Sequence, residues 1–169
     1  MQIRNATPAD AWALSKLMEQ SFRDTFSEFN TAKDMDTYCA KNYGKNQQTM
    51  EIANPDIMTL LAVKNDSLAG FMQLRPGSTF AHCPLGNPLH LDRIYVAKAF
   101  LGTGVGKRLF NEMHKIARTL TCDGVWLGVW EHNPRAIRFY LDFGFQQCGS
   151  TTFWLGSDKQ RDVLMMKRI

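Results

Sequence analysis

The sequence predicts an α/β fold organised on a mixed β-sheet, and three observations lead there. A strand-like run at Leu89–Val96, a striped helix at Gly104–Leu120 and an apolar strand at Val125–Trp130 read as a crossover, which makes the two strands parallel. A hairpin pattern precedes it, Ile57 to Lys64 and Leu68 to Arg75 around Asn65-Asp66-Ser67. Two further strands, near Phe145–Leu155 and Asp162–Lys167, complete the sheet. With 169 residues, 44% apolar and 21% charged, residues 1–169 are expected to form a single domain whose core needs neither disulfide nor metal.

Met1–Asn5 reads as an opening strand. Thr7-Pro8 supplies an N-cap and a proline at the first helical position, and Trp12, Leu14, Leu17, Met18, Ser21 and Phe22 recur at helical steps through about Asp24. Thr31 with Asp34 begins more helix, which Asn54-Pro55 closes because the residue before proline disfavours the α region. Pro76 to Pro88 is a loop. In the Gly104–Leu120 helix, Val105, Leu109, Phe110, Met113, Ile116 and Leu120 share one side. Asn133 to Phe143 is a short helix stopped by Gly144.

Charge and composition exclude several classes. Twenty Lys and Arg against 16 Asp and Glu give a net charge of +4, mild basicity without a nucleic-acid signature. No apolar run approaches the roughly 20 residues of a membrane span, and the start carries no leader pattern. Cys39, Cys83, Cys122 and Cys148 form no C-x-x-C pair, consistent with a reduced, cytoplasmic protein. The four histidines lack ligand spacing, so no metal is expected.

Chemistry first shows in the turn Ala99–Phe110. Glycines at a helix start let the backbone approach a ligand, while free N–H groups and the helix dipole attract an anion. Gly102 and Gly106 enclose three residues where a Walker A loop needs four, and Gly102, Gly104 and Gly106 alternate singly, unlike G-x-G-x-x-G. Three glycines at a strand–helix junction favour a pyrophosphate cradle over a packing turn. Gly104 and Gly106 are both expected to require positive φ.

Gly104-Val105-Gly106 matches the glycine core of [QR]-x-x-G-x-[GA], and Ala136 to Phe145 matches A-I-x-x-Y-x-x-x-G-F. Through these motifs the chain resembles the GCN5-related N-acetyltransferases. FRDTF, LDRIYV, WLGVWEHN and FWLG resemble the PaiA-type polyamine (spermidine/spermine) acetyltransferases among them. The resemblance implies a mixed sheet with a splayed parallel pair, helices on both faces and acetyl-coenzyme A as co-substrate. One departure is Leu101, which stands where the family carries Gln or Arg. Positive charge would come from Lys107, Lys98 or Arg108. The cradle would be Leu101, Gly102, Thr103, Gly104, Val105, Gly106 and Lys107, with backbone groups of Ile94, Tyr95 and Val96 along the pantetheine and Asn133 as a further contact.

Acetyl transfer to an amine requires a neutral nucleophile, oxyanion stabilisation and a proton for the departing thiolate. The resemblance assigns the last to Tyr140. Asp92 and Glu131 are the candidate bases, with His90 third. Asp92 shares one face with Ile94 and Val96 by alternation, so it points into the cleft or pairs with Arg93 or a helix. For Glu131, a capping role competes with proton relay. Asp24 and Glu28, four apart among Phe22, Phe26 and Phe29, are candidate carboxylates for a small cationic amine near the first helices. A peptide or protein amine, or a non-catalytic acyl-coenzyme A sensor, are the competing readings. No nucleic-acid or membrane partner is expected, and the chain would be a monomer or homodimer.

Overall fold

The computed structural model describes residues 1–169. Its order is β1 (Gln2–Asn5), α1 (Ala11–Phe26), α2 (Ala32–Asn42), α3 (Lys45–Ala53), β2 (Met58–Lys64), β3 (Ser67–Pro76), β4 (Pro88–Val96), α4 (Val105–Thr119), β5 (Gly124–Trp130), α5 (Pro134–Asp142), β6 (Gln146–Leu155) and β7 (Asp158–Arg168). The seven strands form one mixed sheet in the order β1-β2-β3-β4-β5-β7-β6, antiparallel except where β4 and β5 run parallel.

Period-two alternation divides the core between the two faces. Leu60, Ala62, Met72 and Leu74 of the hairpin pack with Leu109, Phe110 and Met113 of α4 and with Tyr140 of α5. Leu61 and Phe71 point the other way, against Leu14, Met18 and Phe22 of α1 and Met35 of α2. Helices therefore cover both faces.

Three local features depart from the sequence reading. The helix expected from Thr31 to Asn54 is two helices, broken where Tyr43 ends α2 and Gly44 caps α3. Tyr43 is buried beside Phe22 and Tyr38, and its carbonyl accepts from the Ser15 hydroxyl, so tertiary contacts fix the corner. Trp12 lies outside the α1 stripe, 56% exposed, with the Lys16 ammonium over its ring. Finally, the β3/β4 register shifts from Gln73↔Arg93 to Leu74↔Leu91, leaving Asp92 as the extra residue of a bulge.

The bulge sits where the sheet opens. β4 pairs with β5 only through Pro88↔Gly124, Leu89↔Val125 and His90↔Trp126. Beyond His90 the strands part, and β4 from Leu91 onward has no strand on its β5 side. Aromatic bulk at Tyr95 and Tyr140 lies on the line of divergence, where the two clefts described next meet.

Candidate active site

The turn before α4 is built by its glycines. Gly102 has φ +77° and Gly104, the N-cap of α4, has φ +84°, both in the left-handed region where side chains are strained. Gly106 does not need positive φ. It lies inside the helix, and a β-carbon there would make ordinary contact 3.6 Å from Val96 Cγ2 and 3.7 Å from Phe139 Cζ. The expectation of positive φ thus holds for Gly104, and fails for Gly106 because α4 has already begun.

The first backbone bond of α4 runs from the Arg108 amide to the Gly104 carbonyl. The amides of Gly104, Val105, Gly106 and Lys107 consequently have no partner in the chain and point out of the helix start. That is an anion site of the kind a pyrophosphate occupies. Thr103 is different: its amide is engaged by the Phe100 carbonyl at 3.2 Å and its hydroxyl by the same oxygen at 2.8 Å.

These amides open into a cleft of about 740 Å³. Ile94, Tyr95 and Val96 form one wall, Leu101, Gly102, Gly104, Val105, Gly106 and Lys107 another, and Asn133 and Tyr140 close the inner end. Of the residues expected to hold the coenzyme, only Thr103 is outside this lining. Lys98 and Lys107 bring positive charge to the cleft, whereas Arg108 turns away to the Met1 carbonyl. Arg135, which sequence reasoning missed, also lines it. Its place in the first turn of α5 after the Asn133 cap was the signal available.

A second cleft of about 350 Å³ lies on the other side of the splay. Phe22, Phe26, Tyr38, Trp130 and Phe153 give it aromatic walls. The two clefts share Ile94, Tyr95, Asn133, Ala136 and Tyr140, so a thioester carried in the first would meet a nucleophile held in the second at this junction. The Asn133 side chain also caps α5, accepting from the Ala136 amide at 3.1 Å. Tyr140 is buried, and its phenol is held above its ordinary pKa by burial, which keeps it protonated.

The candidate bases are dispersed. Asp92 lines the aromatic cleft, but the bulge interrupts the alternation expected with Ile94 and Val96. Its carboxylate pairs at 2.7 Å with Arg75 of β3 and not with Arg93. Glu131 faces outward, 3.1 Å from Arg161, and leaves the capping of α5 to Asn133. His90 stacks on Trp126 with centroids 3.7 Å apart, and burial lowers its pKa to about 4, so the ring is neutral at pH 7.

Asp24 is exposed, accepts from Gln20 at 2.9 Å, and lines the first cleft. Glu28 lies beyond the end of α1 at Phe26, so the four-residue helical spacing with Asp24 is not realised. Glu28 lines neither cleft. Arg93, also missed in the sequence, underlies the aromatic cleft, its charge met by Glu51 at 3.0 Å and its Nη1 donating to Gln73 at 2.8 Å.

Comparisons with known proteins agree with this geometry. The profile of the Acetyltransferase (GNAT) family matches residues 15–145. An uncharacterized N-acetyltransferase of Lactobacillus delbrueckii subsp. lactis is 31% identical over 153 residues, 90% of this chain and 88% of that protein. A spermine/spermidine N(1)-acetyltransferase of Bacillus subtilis is 34% identical over 64 residues, 37% of this chain and 42% of that protein. Among solved structures, a PaiA N-acetyltransferase of Thermoplasma acidophilum in complex with coenzyme A superposes with a TM-score of 0.81 at 23% identity, covering 99% of this chain and 98% of that one.

Proposed function

The chain belongs to the GNAT acetyltransferase family, and from that premise we propose that the acceptor is the primary amine of a small cationic molecule of the polyamine class. The family and its relatives make the protein an acetyl-coenzyme A-dependent N-acetyltransferase. The observation that carries the acceptor reading is the character of the second cleft. Nine aromatic side chains line it, its one lining arginine, Arg93, is neutralised by Glu51, and Arg75 behind it is neutralised by Asp92. Aromatic faces attract an alkylammonium, and no unpaired cation opposes its entry. A cavity of about 350 Å³ suits a small acceptor better than a folded protein surface.

In this reading the free amides of Gly104 to Lys107 hold the pyrophosphate, with Lys98, Lys107 and Arg135 adding charge. The open edge of β4 lies along the acyl chain and offers backbone donors toward the thioester carbonyl. Tyr140, at the junction of the clefts, donates to sulfur as the carbon–sulfur bond breaks. The polyamine assignment draws support from the relative that acts on spermine and spermidine.

The test is thiol release from acetyl-coenzyme A across a panel of polyamines, aminoglycosides and N-terminal peptides. Polyamines should give the highest kcat/KM. Preference for peptides would replace the acceptor, and binding of acetyl-coenzyme A without release for any amine would point to a sensor.

A further inference from the structure

We infer that Asp162 of β7 is the general base that takes the proton from the attacking nitrogen. This assignment rests on the amine-acetyltransfer reading above. Asp162 lies beyond the residues matched by the family profile, on the strand beside β5. Its register partner is Trp130, whose ring is part of the acceptor cleft wall, and Asp162 lines that cleft itself. The chain gives its carboxylate neither a hydrogen bond nor an ion pair, in contrast to Asp92 and Glu131. A half-buried carboxylate without a partner is costly to keep unless function uses it.

Its surroundings select it over its neighbours. The charged or titratable groups around it are Glu131 just past the end of β5, Tyr38 on α2 and Tyr43 at its end, Tyr95, Arg93, Asp92 and His90 on β4, and Tyr140 on α5. All four phenols stay protonated, His90 is neutral, Arg93 is spoken for by Glu51, and Asp92 is paired with Arg75. Burial first, and the Glu131 carboxylate second, push Asp162 up to about 6. A base poised just below neutral pH is ionised when needed and still basic enough to accept a proton.

The proton balance closes. The acceptor leaves one ammonium proton in solvent on entering as the free amine. Its lone pair then forms the carbon–nitrogen bond, the nitrogen passes its excess proton to the Asp162 carboxylate, and the carbon–sulfur bond breaks. The thiolate is protonated through Tyr140, and Asp162 returns its proton to solvent through the cleft mouth.

The experiment compares wild type with Asp162→Asn on the best amine of the panel, with acetyl-coenzyme A affinity measured on both. The expected result is a fall in kcat on the order of 10²-fold or more with coenzyme Kd unchanged. Wild-type kcat should decline below about pH 6, and that acidic limb should be absent from Asp162→Asn. Turnover within about threefold of wild type, or a slowed variant that retains the limb, overturns the base assignment alone. No turnover of any amine by wild type overturns the acetyltransfer reading, and the base assignment with it.

Discussion

The Asp162 carboxylate stands against Gly128: a β-carbon built on Gly128 would lie 3.3 Å from Asp162 Oδ2 and 3.8 Å from Asp162 Cβ. Gly128 belongs to β5 two residues before Trp130, the register partner of Asp162, so glycine and carboxylate share one face of the sheet. The missing side chain makes the space that the acid occupies. Gly128→Ala would therefore push the carboxylate by a few tenths of an ångström without touching the coenzyme cleft. We expect kcat to fall several-fold with acetyl-coenzyme A affinity unchanged, read by steady-state kinetics and calorimetric titration. Wild-type kcat in Gly128→Ala would show that the position of the acid is not critical.

Asp162 also carries a stability signature. Its pKa in the folded chain, about 6, lies above the ordinary 3.8, so folding favours the protonated acid. That favourable contribution is complete below about pH 4 and is lost as pH rises through 6. Asp162→Asn removes the ionisation, and should raise Tm at pH 7.5 while matching wild type below pH 4. Discounted for a carboxylate still in contact with solvent, the gain is about 1 kcal/mol, or roughly 2–4 °C in a chain of this size. Equal Tm values across this range would place the acid in an ordinary solvated setting.

The contrast with the other carboxylates explains what sequence alone shows. The β4–α4–β5 crossover was legible because alternation, a helical stripe and three glycines each point to the same element, and the resemblance directs the coenzyme to the same stretch. The acceptor side was less so. Asp92 reads as one of an alternating set, but an extra residue opposite Gln73 and Leu74 breaks the count, and Arg75 then claims it. Nothing local marks a bulge there. Asp162 is one of two acids in β7 with no local motif around it, and only the pairing of β7 with β5, made late in the chain, brings it beside Trp130. The corner at Tyr43 was hidden for the same reason, since its burial comes from contacts remote in sequence.

At the coenzyme turn the two glycines of the core motif should respond differently. Gly104→Val forces a β-branched residue to φ +84°, costing about 1–2 kcal/mol of folding stability along with any loss of affinity. Gly106 has helical geometry, so Gly106→Val is the cleaner variant, its branches entering the space between Val96 and Phe139. We expect its Kd for acetyl-coenzyme A to rise at least about tenfold, ~1.4 kcal/mol, with a small change in Tm. Unchanged affinity measured by calorimetry would remove the pyrophosphate from this turn.

Tyr140 offers the sharpest separation of packing from chemistry. Its ring is buried in the α4/α5 core, with Phe110 and Phe145 centroids 6.2 and 6.0 Å away, and packing alone accounts for that. Its hydroxyl, however, makes no hydrogen bond within the chain, and the residue lines both clefts where they meet. A free phenol near 10 is a weak acid beside a thiol near 8.5, and burial weakens it further. The role proposed for it is to donate to charge that grows on sulfur, taking back a proton as the product leaves. Tyr140→Phe keeps the ring and orphans no partner, so Tm should match wild type. If the hydroxyl protonates the thiolate, kcat should fall on the order of 10²-fold or more while acetyl-coenzyme A binds as before. Turnover within about threefold of wild type, well under 1 kcal/mol, would assign the proton to water instead.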